Sequence, residues 1–392
     1  MNFVALKMLM GDRPKYLGII AGLTFAALLI TQQTSIFIGL MFRTFGFVSD
    51  TGYADIWVMD NKVQFIDDLK PMQDTVLLRV RGVEGVQWAM PLYKGLIRAR
   101  LANGTFQTCN VIGLDDATLV GGPPEMVEGR LDDLRQAEGV IVDIVGATSK
   151  LAHIPVDTQG NAIAGAKAEP LKIGDTLELN DKRAVVVGFC RVSRTFQSQP
   201  VVYTTYSRAT LFAPRERKLL SFVLVKAAPG EDVQQLCRRI EAETGLAAYT
   251  GPEFSKMTYV YFMKYTGIPI NFGIAVALGF LVGTAIAGQT FYNFALDNLK
   301  FFGALKAMGC SNFQLLRMIL LQALIVGLIG YGLGVGAASL FGLLAGKTEL
   351  AFRLLPQTLA ATGVALTVIC LLSATLALWK VIRLEPAIVF KG

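Results

Sequence analysis

Four stretches of the 392-residue chain contain no Asp, Glu, Lys or Arg: Tyr16–Phe42, Tyr265–Leu296, Met318–Gly346 and Leu354–Trp379. Each exceeds the ~20 apolar residues a helix needs to cross the ~30 Å hydrocarbon core of a bilayer. Inside lipid every backbone amide must bond within its own segment, so each stretch predicts a helix. Between the first and second stretches the pattern changes to that of strands. Asp55–Asp60, Thr75–Val80 and Gly95–Leu101 show alternation or β-rich composition. Ala102-Asn103-Gly104 marks a hairpin turn, with Thr105–Ile112 as the returning strand. Leu177–Leu179, Ala184–Phe189, Pro200–Thr204 and Phe222–Val225 read as further strands, the first two joined by a turn at Asn180-Asp181. After Pro229-Gly230, the residues Val233, Leu236, Cys237 and Ile240 share one helical face, and Gly245 stops that helix. The small residues of Asp157–Glu169 predict a mobile surface loop.

The predicted fold class is a membrane α-helical protein with four transmembrane helices and an inserted two-lobed mixed α/β extracytoplasmic domain. The expected order is an amphipathic segment at 1–15, a first span at 16–42, the α/β domain at 43–264 and a second span at 265–296. A cytoplasmic loop at 297–317, a third span at 318–346, a short outer loop at 347–353, a fourth span at 354–379 and a cytoplasmic tail at 380–392 complete it. The first apolar stretch is too long for a signal peptide and has no small-x-small cleavage site, so it is expected to stay as an uncleaved helix.

Charge sets the orientation. Only 17% of residues are charged, against about a quarter in soluble proteins. Arg43–Lys264 holds 26 Lys+Arg and 26 Asp+Glu, a net of zero. Lys7, Arg13, Lys15, Lys300, Lys306, Arg317, Lys380, Arg383 and Lys391 face only Asp12, Asp297 and Glu385 in the remaining inner segments. The positive-inside rule then puts both termini and the 297–317 loop in the cytoplasm. The net charge of +7 reflects this topology and contact with lipid headgroups; it carries no implication of nucleic-acid binding.

Several chemistries are excluded. His153 is the sole histidine, there is no G-x-S-x-G, and no CxxC, so neither a hydrolytic triad nor a His/Cys metal site is expected. Among Cys109, Cys190 and Cys237, a Cys109–Cys190 disulfide is one option and buried free thiols the simpler one. Gly342–Thr348 resembles a phosphate-binding loop, but it is one residue short, follows an apolar helix and lies outside. The spans carry no Asp, Glu, His, Lys or Arg, which argues against an ion-coupled carrier. Their polar residues, Thr31–Ser35, Gln289, Thr290, Asn293 and Gln322, suit hydrogen bonding between helices. The third span holds two small-residue pairs at packing spacing, Gly330 with Gly334 and Gly332 with Gly336.

The loop after the second span is the most informative. In Leu299-Lys300-Phe301-Phe302-Gly303-Ala304-Leu305-Lys306-Ala307-Met308-Gly309, the residues Leu299, Phe302, Ala304 and Leu305 can share a face, with Lys300 and Lys306 off it. Gly309 ends the helix, and Ser311 with Gln314 forms a capping box for the next one. Such a helix can lie on the membrane or seat in a groove of a cytoplasmic partner. Leu305→Asp is expected to break that seating.

Phe302–Ser311 resembles the coupling segment of MacB/FtsX/LolC-type (type VII) ABC transporter permeases. Ile382–Ala387 is similar to the closing stretch of that superfamily, and Gly82–Val86, Val111–Asp115, Glu128–Arg130 and Val185–Gly188 resemble its MacB-type periplasmic core. Gly288–Tyr292 leading into Asp297–Leu299 looks most like the DevC branch. The resemblance implies a non-catalytic homodimeric subunit of a bacterial inner-membrane exporter. It implies an ABC ATPase in two copies as partner, ATP-Mg bound by that partner and no cofactor here, with Leu299–Gly309 as the ATPase-coupling residues. It further implies a periplasmic adaptor (membrane-fusion) protein, an outer-membrane channel and a lipid, glycolipid, peptide or drug-like substrate moved by mechanotransmission. An FtsX-like transducer that regulates a periplasmic partner without transport is the alternative. A membrane-anchored receptor or enzyme would leave the 299–308 helix without a purpose.

Overall fold

The computed structural model of the chain describes residues 2–11, 13–101, 104–153, 168–214, 220–346 and 348–382. Ala102 and Asn103 of the predicted turn, most of the 157–169 loop, Lys347 and the 383–387 part of the closing stretch lie outside the described residues. Two compact units are present, Met1–Leu40 with Gly267–Gly392, and Met41–Thr266.

Helices α1 (Asn2–Gly11) and α2 (Arg13–Asp50) precede β1 (Ile56–Met59), α3 (Thr75–Arg81), β2 (Val86–Arg100) and β3 (Phe106–Leu114). There follow β4 (Glu125–Glu128), β5 (Gly139–Asp143), α4 (Ile144–Thr148), β6 (Thr176–Leu179), β7 (Lys182–Arg191) and β8 (Val201–Thr205). The α/β region closes with α5 (Tyr206–Phe212), β9 (Phe222–Ala227), α6 (Val233–Thr244), β10 (Ala247–Thr250) and α7 (Gly251–Tyr265). Then come α8 (Ile268–Asp297), α9 (Leu299–Ala307), α10 (Asn312–Ala345) and α11 (Pro356–Ile382).

In the α/β unit the strand order is β10-β1-β9-β2-β3-β8-β5-β7-β4, with β6 beside β2 and β7. The two halves share β2. Its first part, Val86–Leu92, pairs antiparallel with β9, and Tyr93–Arg100 pairs antiparallel with β3. One half is centred on Trp57, which packs at 5.5 Å from Phe222 and 5.6 Å from Phe254, all three fully buried. Burying each aromatic is worth roughly 1.5–3 kcal/mol. In the other half Asp143 ties β5 to β8: its carboxylate accepts from the Gly146 amide at 2.7 Å and the Val201 amide at 2.6 Å. Burial pushes that carboxyl above the ordinary range, against the pull of these hydrogen bonds.

Most strand expectations hold. The Asn180-Asp181 turn between β6 and β7 has φ of 49° and 61°, the left-handed pair that a two-residue hairpin requires. Gly104 (φ 79°) donates its amide to Leu101 in the β2–β3 hairpin. Asp232 caps α6 at Gln234 and Gln235, and Gly245 (φ 70°) closes it. Two expectations are corrected. Thr75–Val80 is not a strand but most of helix α3: Val76 and Val80, four residues apart, are both buried while Leu78 is exposed, so a helical period wins over β-rich composition. Asp55–Asp60 contains a strand, yet Ile56, Trp57, Val58 and Met59 are all buried. β1 lies between β9 and β10 and is covered on both faces, so alternation is not its signature. Helix α7 was missed, although Thr250 and Glu253 form a capping box at its start.

Of the membrane-type unit, α2, α8, α10 and the Pro356–Ala377 part of α11 are long and apolar enough to cross a bilayer. The glycines of α10 divide by face. A Cβ at Gly330 would stand 2.7 Å from the Leu23 Cβ, and one at Gly334 would stand 2.6 Å from the Thr24 carbonyl oxygen. These two let α10 and α2 approach closely. Gly332 and Gly336 meet open space instead. Thr31 donates to Thr362 at 3.1 Å, a buried bond between α2 and α11. Cys109, Cys190 and Cys237 are buried free thiols, so the Cys109–Cys190 disulfide is not formed.

Candidate functional site

The connection from α8 to α10 is built from two tight local motifs around α9. At its start, Asn298 donates its side-chain amide to the Phe294 carbonyl at 2.9 Å, closing α8 where α9 begins. At its end the Gly309 amide bonds the Lys306 carbonyl at 3.1 Å and the Cys310 amide bonds the Leu305 carbonyl at 3.1 Å. With Gly309 at φ 93° this is a Schellman motif. Ser311 then caps α10: its hydroxyl accepts from the Gln314 amide while the Gln314 side chain accepts from the Ser311 amide at 2.9 Å. Both the Gly309 stop and the capping box were legible in the sequence.

The orientation of α9 corrects the expected face. Phe302 is fully buried in a cluster with Leu9, Leu315 and Met318, and Leu299 and Leu305 pack against that cluster. Gly303 is buried too, and Lys306 is half-buried. Leu299, Phe302 and Leu305 therefore do share a face, but it is turned into the chain's own helices. Ala304 leaves that set and is exposed. The outward apolar row is Phe301 (63% exposed), Ala304 and Met308 (74% exposed), at i, i+3 and i+7, with Lys300, Ala307 and Gly309 exposed around it. Phe313, 73% exposed at the first turn of α10, extends the apolar surface beyond Gly309. Lys15 forms an ion pair with Asp297, the last residue of α8. The sequence contains two adjacent phenylalanines of identical chemistry here, and only packing decides which points outward.

Four membrane-length helices, an α/β insertion after the first of them and a short helix, closed at Gly309, between the second and third define a multi-pass membrane protein. The MacB-like periplasmic core domain matches residues 17–243, and the FtsX-like permease C-terminal domain matches residues 261–386. The chain belongs to this family: it is an ABC transporter permease of the MacB/FtsX type. An uncharacterized ABC transporter permease of Mycobacterium tuberculosis is 25% identical over 329 residues, spanning 82% of this chain and 80% of the relative. One from Methanocaldococcus jannaschii is 25% identical over 186 residues, covering 45% and 46% of the two chains. Among solved structures, the periplasmic region of MacB from Actinobacillus actinomycetemcomitans matches with a TM-score of 0.36 and 14% identity, over 56% of this chain and 96% of that one. The extracellular domain of YknZ from Gram-positive bacteria matches with a TM-score of 0.32 and 11% identity, over 50% and 98%.

Proposed function

We propose that the chain is the membrane subunit of an exporter, in which a separate ATPase subunit seats on α9 and drives movement of the outer domain. The observation that carries this reading is the outward row Phe301, Ala304 and Met308 on a helix whose opposite face, through Phe302, is locked into the membrane-type unit. An amphipathic row at this spacing fits a groove of a partner protein. The ATPase is present in two copies, one for each permease of a homodimer, and it binds the ATP-Mg; this chain contributes no catalytic residue. The basic residues Lys7, Arg13, Lys300, Lys306, Lys380, Arg383 and Lys391 favour a cytoplasmic location for both termini and α9 in the inner membrane. A periplasmic adaptor and an outer-membrane channel complete the assembly, as in the DevC branch that the Gly288–Leu299 stretch resembles. The cargo is a lipid, glycolipid, peptide or drug-like molecule, moved without entering the uncharged spans.

The test is reconstitution of the full chain with its ATPase subunit in proteoliposomes. ATP hydrolysis is expected to rise when the permease is present and to fall back with Phe301→Asp. Hydrolysis and export that proceed unchanged without the ATPase, or a Phe301→Asp permease that couples normally, would overturn the reading.

A further inference from the structure

The α/β unit contains a cavity of about 760 Å³ that no feature of ATP coupling uses. This lies within the 300–1,000 Å³ range of sites that enclose a small molecule. One wall is aromatic. Phe65 stacks on Tyr261 with ring centres 4.3 Å apart, and Phe262 joins Phe65 edge-on at 5.6 Å and Phe196 at 5.0 Å. These rings come from three separate places: the loop after β1, the loop before β8 and the last turns of α7. They converge on one space without filling it.

The charged part of the lining is electrically balanced. Lys94, on β2, is buried and ion-paired with Asp67. Asp68 is paired with Lys70 at 2.8 Å. Ser221 is committed to the Lys94 backbone, accepting from its amide at 3.0 Å and donating to its carbonyl at 3.1 Å. Each charged group in the wall therefore has an opposite charge beside it, and a ligand with net charge would have to break a pair to gain attraction. Gln199 donates its amide nitrogen to the Gln197 amide oxygen at 3.0 Å. Both side chains line the cavity, and the Gln197 amide nitrogen and the Gln199 amide oxygen are left with hydrogen-bonding capacity to offer a ligand. Thr266, another wall residue, stands two residues before the membrane-length helix α8 begins.

From this lining we infer that the outer domain binds an uncharged amphiphile, its aliphatic or ring body against Phe65, Phe196, Tyr261 and Phe262 and its hydroxyl or amide head on Gln197 and Gln199. A charged head of either sign is disfavoured because Lys94–Asp67 and Asp68–Lys70 are already closed. A head without a chain is disfavoured because the aromatic wall would stay wet. The inference stands apart from the ATPase reading: it concerns binding by this chain alone.

The experiment measures equilibrium binding to the full chain in lipid nanodiscs, with no ATPase present and empty nanodiscs subtracted. The probes are monododecanoyl glycerol, dodecyl phosphate, dodecylammonium and glycerol. The uncharged chain is expected to bind at least tenfold more tightly than either charged one, and glycerol not measurably. Leu96→Trp, which puts a bulkier ring at a half-exposed position in the cavity wall, is expected to cut binding at least tenfold with an unchanged melting temperature. Phe196→Ala should weaken it roughly tenfold, the scale of one lost aromatic contact. Charged amphiphiles that bind as tightly as the uncharged one, or a Leu96→Trp chain that binds like the native one, would overturn the inference. A chain that binds amphiphile yet fails to couple to any ATPase would leave this site standing and sink the exporter reading alone.

Discussion

Phe301→Asp and Phe302→Ala are neighbouring substitutions with opposite expected consequences. Phe301 is 63% exposed, so a partner that covers it removes most of a phenylalanine from water. Scaling the roughly 1.5–3 kcal/mol for full burial by that fraction gives about 1–2 kcal/mol of binding. That corresponds to roughly 5- to 30-fold in Kd. An aspartate there adds the penalty of desolvating an unpaired carboxylate, so Phe301→Asp is expected to weaken the ATPase complex by a hundredfold or more. Phe302 is wholly buried in the cluster that also holds Leu9, Leu315 and Met318, and its truncation leaves a cavity that costs about 3–5 kcal/mol of stability. The assay is titration of the purified permease with its ATPase subunit in detergent, paired with a thermal melt of each variant. Phe301→Asp should lose the partner and keep its Tm, while Phe302→Ala should drop in Tm. If Phe301→Asp binds with native affinity, or Phe302→Ala loses the partner at an unchanged Tm, the assignment of faces on α9 is wrong. Leu305→Asp is no longer a clean probe, since Leu305 faces the same cluster as Phe302.

Three further predictions rest on other parts of the chain. Gly334→Ala should lower the Tm in detergent by an amount equivalent to about 1–3 kcal/mol of overpacking, because its Cβ would press on Thr24; Gly332→Ala should leave it unchanged, and equal shifts would refute the division of faces. Hydrogen bonding from the Thr250 amide holds the Glu253 carboxyl below its ordinary value. Its stabilisation is therefore present above the unfolded carboxyl pKa and lost as pH falls through the lower folded one, so the Tm gap between the native chain and Glu253→Gln should be constant near neutrality and close in acid below about pH 4; a gap that widens in acid would contradict it. Burial holds the Cys109 and Cys190 thiols high and pushes Cys237 up to about 12, so a maleimide at pH 7 should modify Cys310, which is half-buried, and spare those three until the chain is unfolded. Site-resolved mass spectrometry reads this, and rapid labelling of Cys109 in the folded chain would count against the packing described.

The features that the sequence disclosed were those with a local or absolute cause. Lipid tolerates no unsatisfied backbone, so the four membrane helices declared themselves by length and lack of charge. Caps and turns are short-range chemistry, and Ser311 with Gln314, Gly309 and Asn180-Asp181 appear where their residue types put them. What stayed hidden depends on distant neighbours. Thr75–Val80 has the β-branched composition of a strand, yet the space open to it buries Val76 and Val80 on one side. Phe301 and Phe302 differ only in which way the corner at Asn298 turns them. Gly330 with Gly334 and Gly332 with Gly336 look alike in sequence, and only α2, packed against the first pair, separates them. The cavity was equally silent, because its rings are brought together from residues 65, 196, 261 and 262, on two loops and a helix far apart in the chain.

The corrected face of α9 also alters how a push from an ATPase would travel. Were Leu299, Phe302 and Leu305 the partner-facing row, α9 would hang from its two connections, and a load could be absorbed by bending there. With Phe302 buried, the helix is fixed on two counts: by that side chain and by the Schellman hydrogen bonds at Gly309. The capping box at Ser311 follows at once, so α9 and α10 are joined by a corner with little slack. On the proposed reading, a force applied to Phe301 and Met308 would reach α8 and α10 together. Packed elements of this kind respond by shifting between discrete arrangements because close-packed interiors do not deform continuously. On the proposed reading, that rigidity lets the subunit transmit work, and it explains why the outward row can be small: it has only to hold the partner, while Phe302 and the Schellman motif at Gly309 hold the helix.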